Sequence, residues 1–142
     1  MPQVLIVDDD EGVRRLLRLL LETSGYDTAT AANGAEALER MRQQLPCVVL
    51  LDMKMPVMDG FEFRRQQLAD PQLLSVPVVC LTAHYEPEQV GMQLGVACLS
   101  KPPHFPEILN AVKARCGIGK PSKVRHALPE QPASDDPADE VN

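Results

Sequence analysis

Four short apolar runs and one weakly alternating segment are interspersed with five stretches of helical periodicity along this 142-residue chain. The run at residues 4–7 ends in Asp8, and apolar residues then recur at helical spacing from Val13 to Leu21. Later runs, apolar without strict alternation, lie at residues 47–51, 76–81 and 96–99. Such runs are typical of strands covered on both faces, and strands that alternate with helices form a parallel sheet. The pattern predicts a doubly wound α/β domain of three layers.

Turn residues and a change of composition divide the chain further. Ser24-Gly25 ends the first helix, and a weakly alternating segment at residues 26–31 is predicted as the second strand. The remaining helices are predicted at residues 35–41, 60–69, 86–94 and 106–116. Beyond them prolines break any periodicity and apolar residues are few, so we predict a folded domain over 1–117 and a disordered tail over 118–142. The alternative is a linker to an output domain.

The net charge of −6 limits the partners that the chain can bind. It opposes direct contact with nucleic acid or an anionic membrane surface, because both carry phosphates. No apolar run approaches the length of about 18 residues that a transmembrane helix needs, so no membrane insertion is expected. The N-terminus also lacks the basic and apolar regions of a signal peptide. We therefore expect a cytoplasmic protein.

The chain contains four widely spaced cysteines, Cys47, Cys80, Cys98 and Cys116, and no C-x-x-C pair. Most of them lie within or beside apolar runs. In a cytoplasmic protein this predicts reduced, buried thiols that act as small hydrophobic side chains. A zinc site has little support, because its ligands usually come in closely spaced pairs.

Polar side chains stand at the carboxyl ends of the predicted strands, where ligands bind in folds of this type. Asp8 and Asp9 follow the first strand, and Asp52 follows the third. Thr82 ends the fourth strand, and Lys101 follows the fifth. Crowded carboxylates need raised pKa values or a bound cation such as Mg²⁺. A central carboxylate could carry a phosphoryl group, with the lysine and hydroxyl as its partners. Taken singly, each residue also has an ordinary structural explanation, such as helix capping.

Four segments taken together resemble the receiver domain of two-component response regulators. They are Val7-Asp8-Asp9, the stretch LDMKMPVMDG at residues 51–60, Leu81-Thr82-Ala83 and Lys101-Pro102. Their order and spacing match over residues 2–116, and D-x-x-M-P-x-M-D-G followed by a distant K-P is a specific signature. The resemblance implies a flavodoxin-like (βα)5 fold whose five parallel strands lie in the order 2-1-3-4-5.

The resemblance also implies roles for the matching residues. Asp52 corresponds to the phosphoacceptor. Asp8, Asp9 and Asp52, with the backbone carbonyl of Lys54, correspond to the ligands of Mg²⁺ or Mn²⁺.

Further residues match positions that bind the phosphoryl group or shape the site. Thr82 corresponds to the switch hydroxyl and Lys101 to the lysine that pairs with the phosphoryl group. The Lys101-Pro102 peptide bond is cis in this family, which is plausible for a bond before proline. The matching structural residues are Pro56, Asp59, Gly60 and Pro102.

Several positions depart from the family pattern, and others are expected to change the lifetime of the phosphoryl group. Cys98 stands where receivers usually carry the rotating aromatic of the switch, and Pro103 replaces the usual aromatic after Lys-Pro. Tyr85 is a candidate to supply the missing ring. Lys54 and His84 flank the expected path of the attacking water and are expected to alter the hydrolysis rate. Nothing near Cys98 in the sequence marks it as a low-pKa, redox-active thiol.

The implied function is to accept a phosphoryl group from a histidine kinase or a phosphotransfer protein. The surface of the fourth helix, fifth strand and fifth helix would then signal to a downstream protein, and a homodimer is possible. Only self-phosphotransfer and autodephosphorylation are expected, not a dedicated enzyme activity. The alternatives are a phosphorylation-independent interaction module, or the N-terminal receiver of a larger regulator.

Two other classes of protein fit the sequence less well. A haloacid-dehalogenase-type phosphatase places its nucleophile after the first strand, whereas the central Asp here follows the third. A flavodoxin-like FMN binder needs a Ser/Thr/Gly-rich phosphate loop after the first strand. The acidic run at residues 8–11 would instead repel the FMN phosphate.

Overall fold

Strands and helices alternate five times in the structure, a computed structural model that describes residues 3–102 and 104–119. The strands are β1 (Gln3–Val7), β2 (Asp27–Ala31), β3 (Val48–Asp52), β4 (Val78–Thr82) and β5 (Ala97–Ser100). The helices are α1 (Glu11–Thr23), α2 (Gly34–Gln43), α3 (Gly60–Leu68), α4 (Pro87–Leu94) and α5 (Phe105–Cys116). The predicted succession is confirmed, with small differences at the ends of elements.

The five strands form one parallel sheet in the order β2-β1-β3-β4-β5. This confirms the predicted doubly wound, flavodoxin-like architecture. All strands point the same way, so their carboxyl ends meet at one edge of the sheet. The register sets Asp52 opposite Leu81 and Thr82 opposite Ser100 at that edge.

Two apolar clusters hold helices against both faces of the sheet. One cluster packs side chains of α2, α3 and α4, such as Met41, Phe63 and Val90, against the sheet. The other packs Leu17 and Leu21 of α1, with the apolar face of α5, against the opposite face. Every residue of β3 and β4 is buried, which explains why these runs do not alternate between apolar and polar residues.

Short polar side chains begin the first three helices. Asp10, Asn33 and Asp59 accept the backbone N–H groups of Val13, Glu36 and Glu62, respectively. Each bond satisfies a helix N–H group that has no partner within its own helix. The acidic residues after β1 therefore have two roles. Asp10 caps α1, while Asp8 and Asp9 lie at the carboxyl edge of the sheet.

The prediction of reduced thiols is wrong, because the structure contains two disulfide bonds and no free cysteine among its four. Cys47, just before β3, is bonded to Cys116 at the end of α5. Cys80 of β4 is bonded to Cys98 of β5, with their Cα atoms 4.5 Å apart. Sequence separations of 69 and 18 residues gave no sign of this proximity, which arises from sheet register and helix docking.

Two predictions lie wholly or largely outside the described residues. They concern Pro103 and the tail predicted over residues 118–142, of which only 118 and 119 are described. Within the described ranges, no helix is both long enough and apolar enough to cross a lipid bilayer.

A buried glutamine closes the connection between α3 and β4. The side-chain NH₂ group of Gln67 donates hydrogen bonds to the carbonyls of Leu73 and Val76, at 3.0 and 2.9 Å. Its carbonyl oxygen accepts a hydrogen bond from Arg64 at 2.7 Å. Gln67 thereby provides hydrogen-bond donors for two carbonyl groups of the connection between α3 and β4.

We expect Gln67→Leu to lower the free energy of unfolding by about 1–3 kcal/mol, because two buried carbonyls lose their donors. Urea denaturation followed by circular dichroism measures the change. Gln72→Leu, at an exposed position, is the matched control and should stay within about 0.5 kcal/mol of wild type. Equal destabilisation by both substitutions would contradict the anchoring role.

Candidate functional site

Three carboxylates meet at the carboxyl edge of the sheet. Asp8 directly follows β1, Asp9 is the next residue, and Asp52 is the last residue of β3. One oxygen from each of the three lies within 4.8 Å of the others. The side chains of Asp8 and Asp52 are almost fully buried, whereas Asp9 is exposed. The structure thus brings together the acidic residues that the sequence placed at strand ends.

Lys101 reaches these carboxylates from the edge strand β5. It follows β5, and its Nζ atom lies 2.6 Å from Oδ2 of Asp8 and 3.2 Å from Oδ1 of Asp52. The lysine side chain is itself largely buried, with 17% of its surface exposed. One ammonium group therefore bridges two buried carboxylates. The Lys101-Pro102 peptide bond is cis.

Burial and charge shift the pKa values of the central pair in the same direction. Burial, reinforced by the charge of Asp8, raises the pKa of Asp52 from 3.8 to about 6, although Lys101 opposes the rise. Burial lowers the pKa of Lys101, but its hydrogen bond and charge interaction with Asp8, and then those with Asp52, outweigh this effect. The pKa of Lys101 is therefore raised, and the ammonium form persists at neutral pH.

Backbone contacts fix Asp8 more firmly than the other two carboxylates. Its Oδ1 atom accepts the N–H of Asp10 at 2.9 Å, and its own N–H donates to the carbonyl of Ala31 at 3.1 Å. Arg14 of α1 donates to the Asp8 carbonyl at 2.7 Å. Asp8 is thus held in place, while Asp9 faces solvent. Three hard carboxylate oxygens so arranged suit a divalent cation with oxygen ligands.

Thr82 supplies a buried hydroxyl beside the carboxylates. It ends β4, and its Oγ1 atom accepts the backbone N–H groups of His84 and Tyr85, at 3.3 and 3.2 Å. Its carbonyl accepts the N–H of Lys101 at 2.9 Å. The hydroxyl oxygen is therefore engaged with the loop that leads into α4, and a ligand that turns the side chain of Thr82 must break these two bonds.

An aromatic pair covers the loop beyond Thr82. Tyr85 is 43% exposed and packs edge-on against Phe61 of α3, with ring centroids 5.3 Å apart. Tyr85 was a candidate from the sequence, whereas Phe61 was not. The only available signal for Phe61 was its position directly after Gly60 at the start of α3. His84 and Lys54 both have exposed side chains, on the loops after β4 and β3.

The loop after β3 brings α3 close to the central carboxylate. A Cβ atom added at Gly60 would lie 2.9 Å from both the backbone oxygen of Asp52 and the Cα atom of Met53. The helix can therefore begin here only with glycine at this position. Pro56 lies exposed in the same loop, and the next residue, Val57, adopts a left-handed φ of 70°.

Cys98 lies away from the carboxylates, on β5, and is half-buried. It pairs directly with Cys80 of β4 in the register of the sheet. Its sulfur is bonded to that of Cys80, so this position holds a covalent link between strands in place of a mobile ring.

Comparison with known proteins gives a consistent family match. A family model described as the response regulator receiver domain matches residues 4–113. The sporulation initiation phosphotransferase F of Bacillus subtilis (strain 168) is 39% identical over 115 residues, which cover 78% of this chain and 90% of that protein.

A second relative and a solved structure extend the comparison. The alkaline phosphatase synthesis transcriptional regulatory protein PhoP of the same organism is 38% identical over 126 residues. That match covers 84% of this chain but only 52% of PhoP, so the chain spans about half of this relative's length. The chemotaxis protein CheY4 of Vibrio cholerae superposes with a TM-score of 0.72 at 33% identity, covering 81% of this chain and 98% of that one.

The raised pKa of Asp52 predicts a loss of stability as the pH rises. Between its unfolded value of 3.8 and its folded value of about 6, the folded protein holds a proton that the unfolded chain has lost. Stability therefore falls across this window. The difference corresponds to about 3 kcal/mol that Asp52→Asn, which cannot ionise, would not lose.

Urea denaturation of both proteins in EDTA, at about pH 4 and about pH 7, tests this prediction. The free energy of unfolding of Asp52→Asn should increase relative to that of wild type as the pH rises. Excess Mg²⁺ at the higher pH should reduce the gap, because a cation favours the ionised carboxylate. Parallel pH profiles of the two proteins in EDTA would contradict the assignment of the raised pKa to Asp52.

Proposed function

The chain belongs to the receiver domain family of response regulators, and on that premise we propose that it accepts a phosphoryl group on Asp52. One observation carries this proposal. A nearly buried carboxylate ends the third strand, with two further carboxylates close to it and a lysine Nζ atom 3.2 Å away. A hydroxyl stands at the end of the adjacent strand.

Asp52 is proposed as the nucleophile because it ends β3, between the carboxylates that follow β1 and the hydroxyl that ends β4. An oxygen of its ionised carboxylate attacks the phosphorus atom of a phosphohistidine on a kinase or phosphotransfer protein. The O–P bond forms as the P–N bond breaks, and the imidazole leaves with the electron pair of that bond. Lys101 already contacts Asp52 and is placed to pair with the phosphoryl oxygens.

Asp8, Asp9 and Asp52, with the backbone carbonyl of Lys54, are proposed to hold Mg²⁺ or Mn²⁺. Their three carboxylate oxygens, within 4.8 Å of one another, fit a hard divalent cation, which prefers oxygen ligands. When bound, such an ion neutralises charge on the transferring phosphoryl group. It would also hold Asp52 ionised, which the burial of this carboxyl otherwise opposes.

Thr82 is proposed to transmit the phosphorylation state. Its hydroxyl now accepts two loop N–H groups, those of His84 and Tyr85. A phosphoryl oxygen is a stronger, charged acceptor for the hydroxyl proton. Rotation of Thr82 toward it would free the loop that leads into α4 and alter the contact between Tyr85 and Phe61.

The proposed output is recognition of the α4-β5-α5 surface by a downstream protein, through a shift between two pre-existing conformations. No DNA contact by this domain is proposed. The PhoP match favours a second organisation, in which this domain is the receiver of a longer regulator, because that relative extends well beyond the matched region. The bond between Cys80 and Cys98 favours another alternative, an interaction module that does not use phosphate, since no ring can move at position 98.

Intact-mass spectrometry after incubation with Mg²⁺ and acetyl phosphate tests the phosphoacceptor assignment. We expect wild type to gain one phosphoryl group and Asp52→Asn to gain none, because the amide is not a nucleophile. Asp59→Asn is the matched control, since asparagine can still cap α3, and it should behave like wild type. EDTA should abolish the gain.

A phosphoryl group on Asp52→Asn would place the acceptor elsewhere. No gain on wild type, even with a phosphorylated histidine kinase as donor, would favour the phosphorylation-independent module.

Hydrogen exchange at the amides of His84 and Tyr85 tests the role of Thr82. In wild type, phosphorylation should speed their exchange by about fivefold, because a hydrogen bond worth about 1 kcal/mol is released. In Thr82→Ala these amides should exchange rapidly from the start, with no further change on phosphorylation. Thr82→Ser, which keeps the hydroxyl, should restore the response. An unchanged phosphorylation response in Thr82→Ala would remove Thr82 from the switch.

A further inference from the structure

The disulfide between Cys80 and Cys98 joins the two strands that carry the proposed phosphoryl-binding groups. Cys80 precedes Thr82 by two residues on β4, and Cys98 precedes Lys101 by three residues on the β5 side. Thr82 and Lys101 are also linked directly, by the backbone hydrogen bond of 2.9 Å from Lys101 to Thr82. Any movement of β4 relative to β5 is therefore restrained by this covalent link.

The two cysteines of this bond differ in their exposure to solvent. Cys80 is fully buried, whereas Cys98 is half-buried and lines an open groove of about 790 Å³. The groove is bounded by parts of α3, α4 and β5, including Arg64, Met92 and Val96. A small thiol can thus approach Cys98 from the groove, with Cys80 as the leaving group.

We propose that Cys80 and Cys98 are a redox-active pair whose oxidation state regulates phosphorylation at Asp52. The regulatory half of this proposal rests on the function proposed above. The disulfide restrains the relative movement of β4 and β5, and hence the adjustment of Thr82 and Lys101 around a phosphoryl group. Reduction leaves two small thiols and an unlinked edge strand, so the reduced protein is the more responsive form.

The chemistry is thiol–disulfide exchange with a dithiol reductant. A thiolate of the reductant attacks the sulfur of Cys98, and Cys80 leaves as a thiolate. The second thiolate of the reductant then attacks its own sulfur in the mixed disulfide and releases Cys98. The protein disulfide has gained two electrons and two protons, and the dithiol has become a disulfide. A disulfide oxidant drives the reverse reaction.

The second disulfide provides an internal control. Cys47 lies before β3 and Cys116 at the end of α5, so their bond is at the amino end of β3, away from Asp52 at its carboxyl end. Cys98 and Cys116 are both half-buried, which makes their serine substitutions comparable. Reduction of the Cys47–Cys116 bond leaves the strand pair β4–β5 linked.

The first experiment asks whether the bond opens in the folded protein. Dithiothreitol is titrated under native conditions, and the sample is quenched in acid and alkylated in denaturant for peptide mass mapping. We expect Cys80 and Cys98 to be alkylated while circular dichroism stays unchanged, and glutathione disulfide to restore the bond. Reduction that occurs only with unfolding would overturn the redox pair.

The second experiment compares phosphorylation rates with acetyl phosphate and Mg²⁺ in the oxidised and reduced states. The reduced wild type should be phosphorylated about fivefold faster, a modest coupling between two sites. Cys116→Ser should show the same dependence on redox state. Cys98→Ser should show none and should react at the reduced rate in both states.

Each result bears on a different proposal. Equal rates in both redox states of wild type, or a redox dependence that persists in Cys98→Ser, would overturn the regulation. Failure of phosphorylation in every protein and both states would reject the proposed function and its regulation together. The native reduction experiment alone would then decide whether Cys80 and Cys98 form a redox-active pair.

Discussion

The structure depends on two carboxylates that are buried at the same edge of a sheet and share one lysine. Asp8 and Asp52 would repel each other there without the ammonium group of Lys101, which contacts both. Lys101 offsets burial and the charge of Asp8 only in part, because the pKa of Asp52 still rises to about 6. The site therefore favours the arrival of positive charge or of a proton. A carboxylate held in this state is well suited to a reaction that a divalent cation assists.

The rest of the fold maintains this crowding. Strands β1, β3 and β4 are apolar and covered on both faces, so burial fixes their register and brings their last residues together. Asp10 caps α1, and Gly60 lets α3 begin against the backbone of Asp52. These contacts hold the acidic residues near one another at a cost in electrostatic energy that the aliphatic core offsets.

The β4–β5 edge differs from what the family resemblance implies. The ring expected at position 98 is absent, and Cys98 is instead bonded to Cys80. Thr82, on the same strand as Cys80, keeps its bonds to the loop before α4, where Tyr85 rests on Phe61. In the proposed function Asp52 accepts the phosphoryl group and Thr82 transmits it, and the covalent link restrains the strand pair that leads to Thr82 and Lys101.

The order of strands and helices and the residues at the strand ends could be predicted from the sequence, because apolar periodicity and local capping are short-range properties. Asp8, Asp9, Asp52, Thr82 and Lys101 were all found in this way. How these residues meet depends on the tertiary fold, since the contact of Lys101 with Asp8 spans 93 residues. The tertiary fold also decided the two disulfides and the packing of Tyr85 on Phe61. Such contacts follow from sheet register and helix docking, which no local pattern encodes.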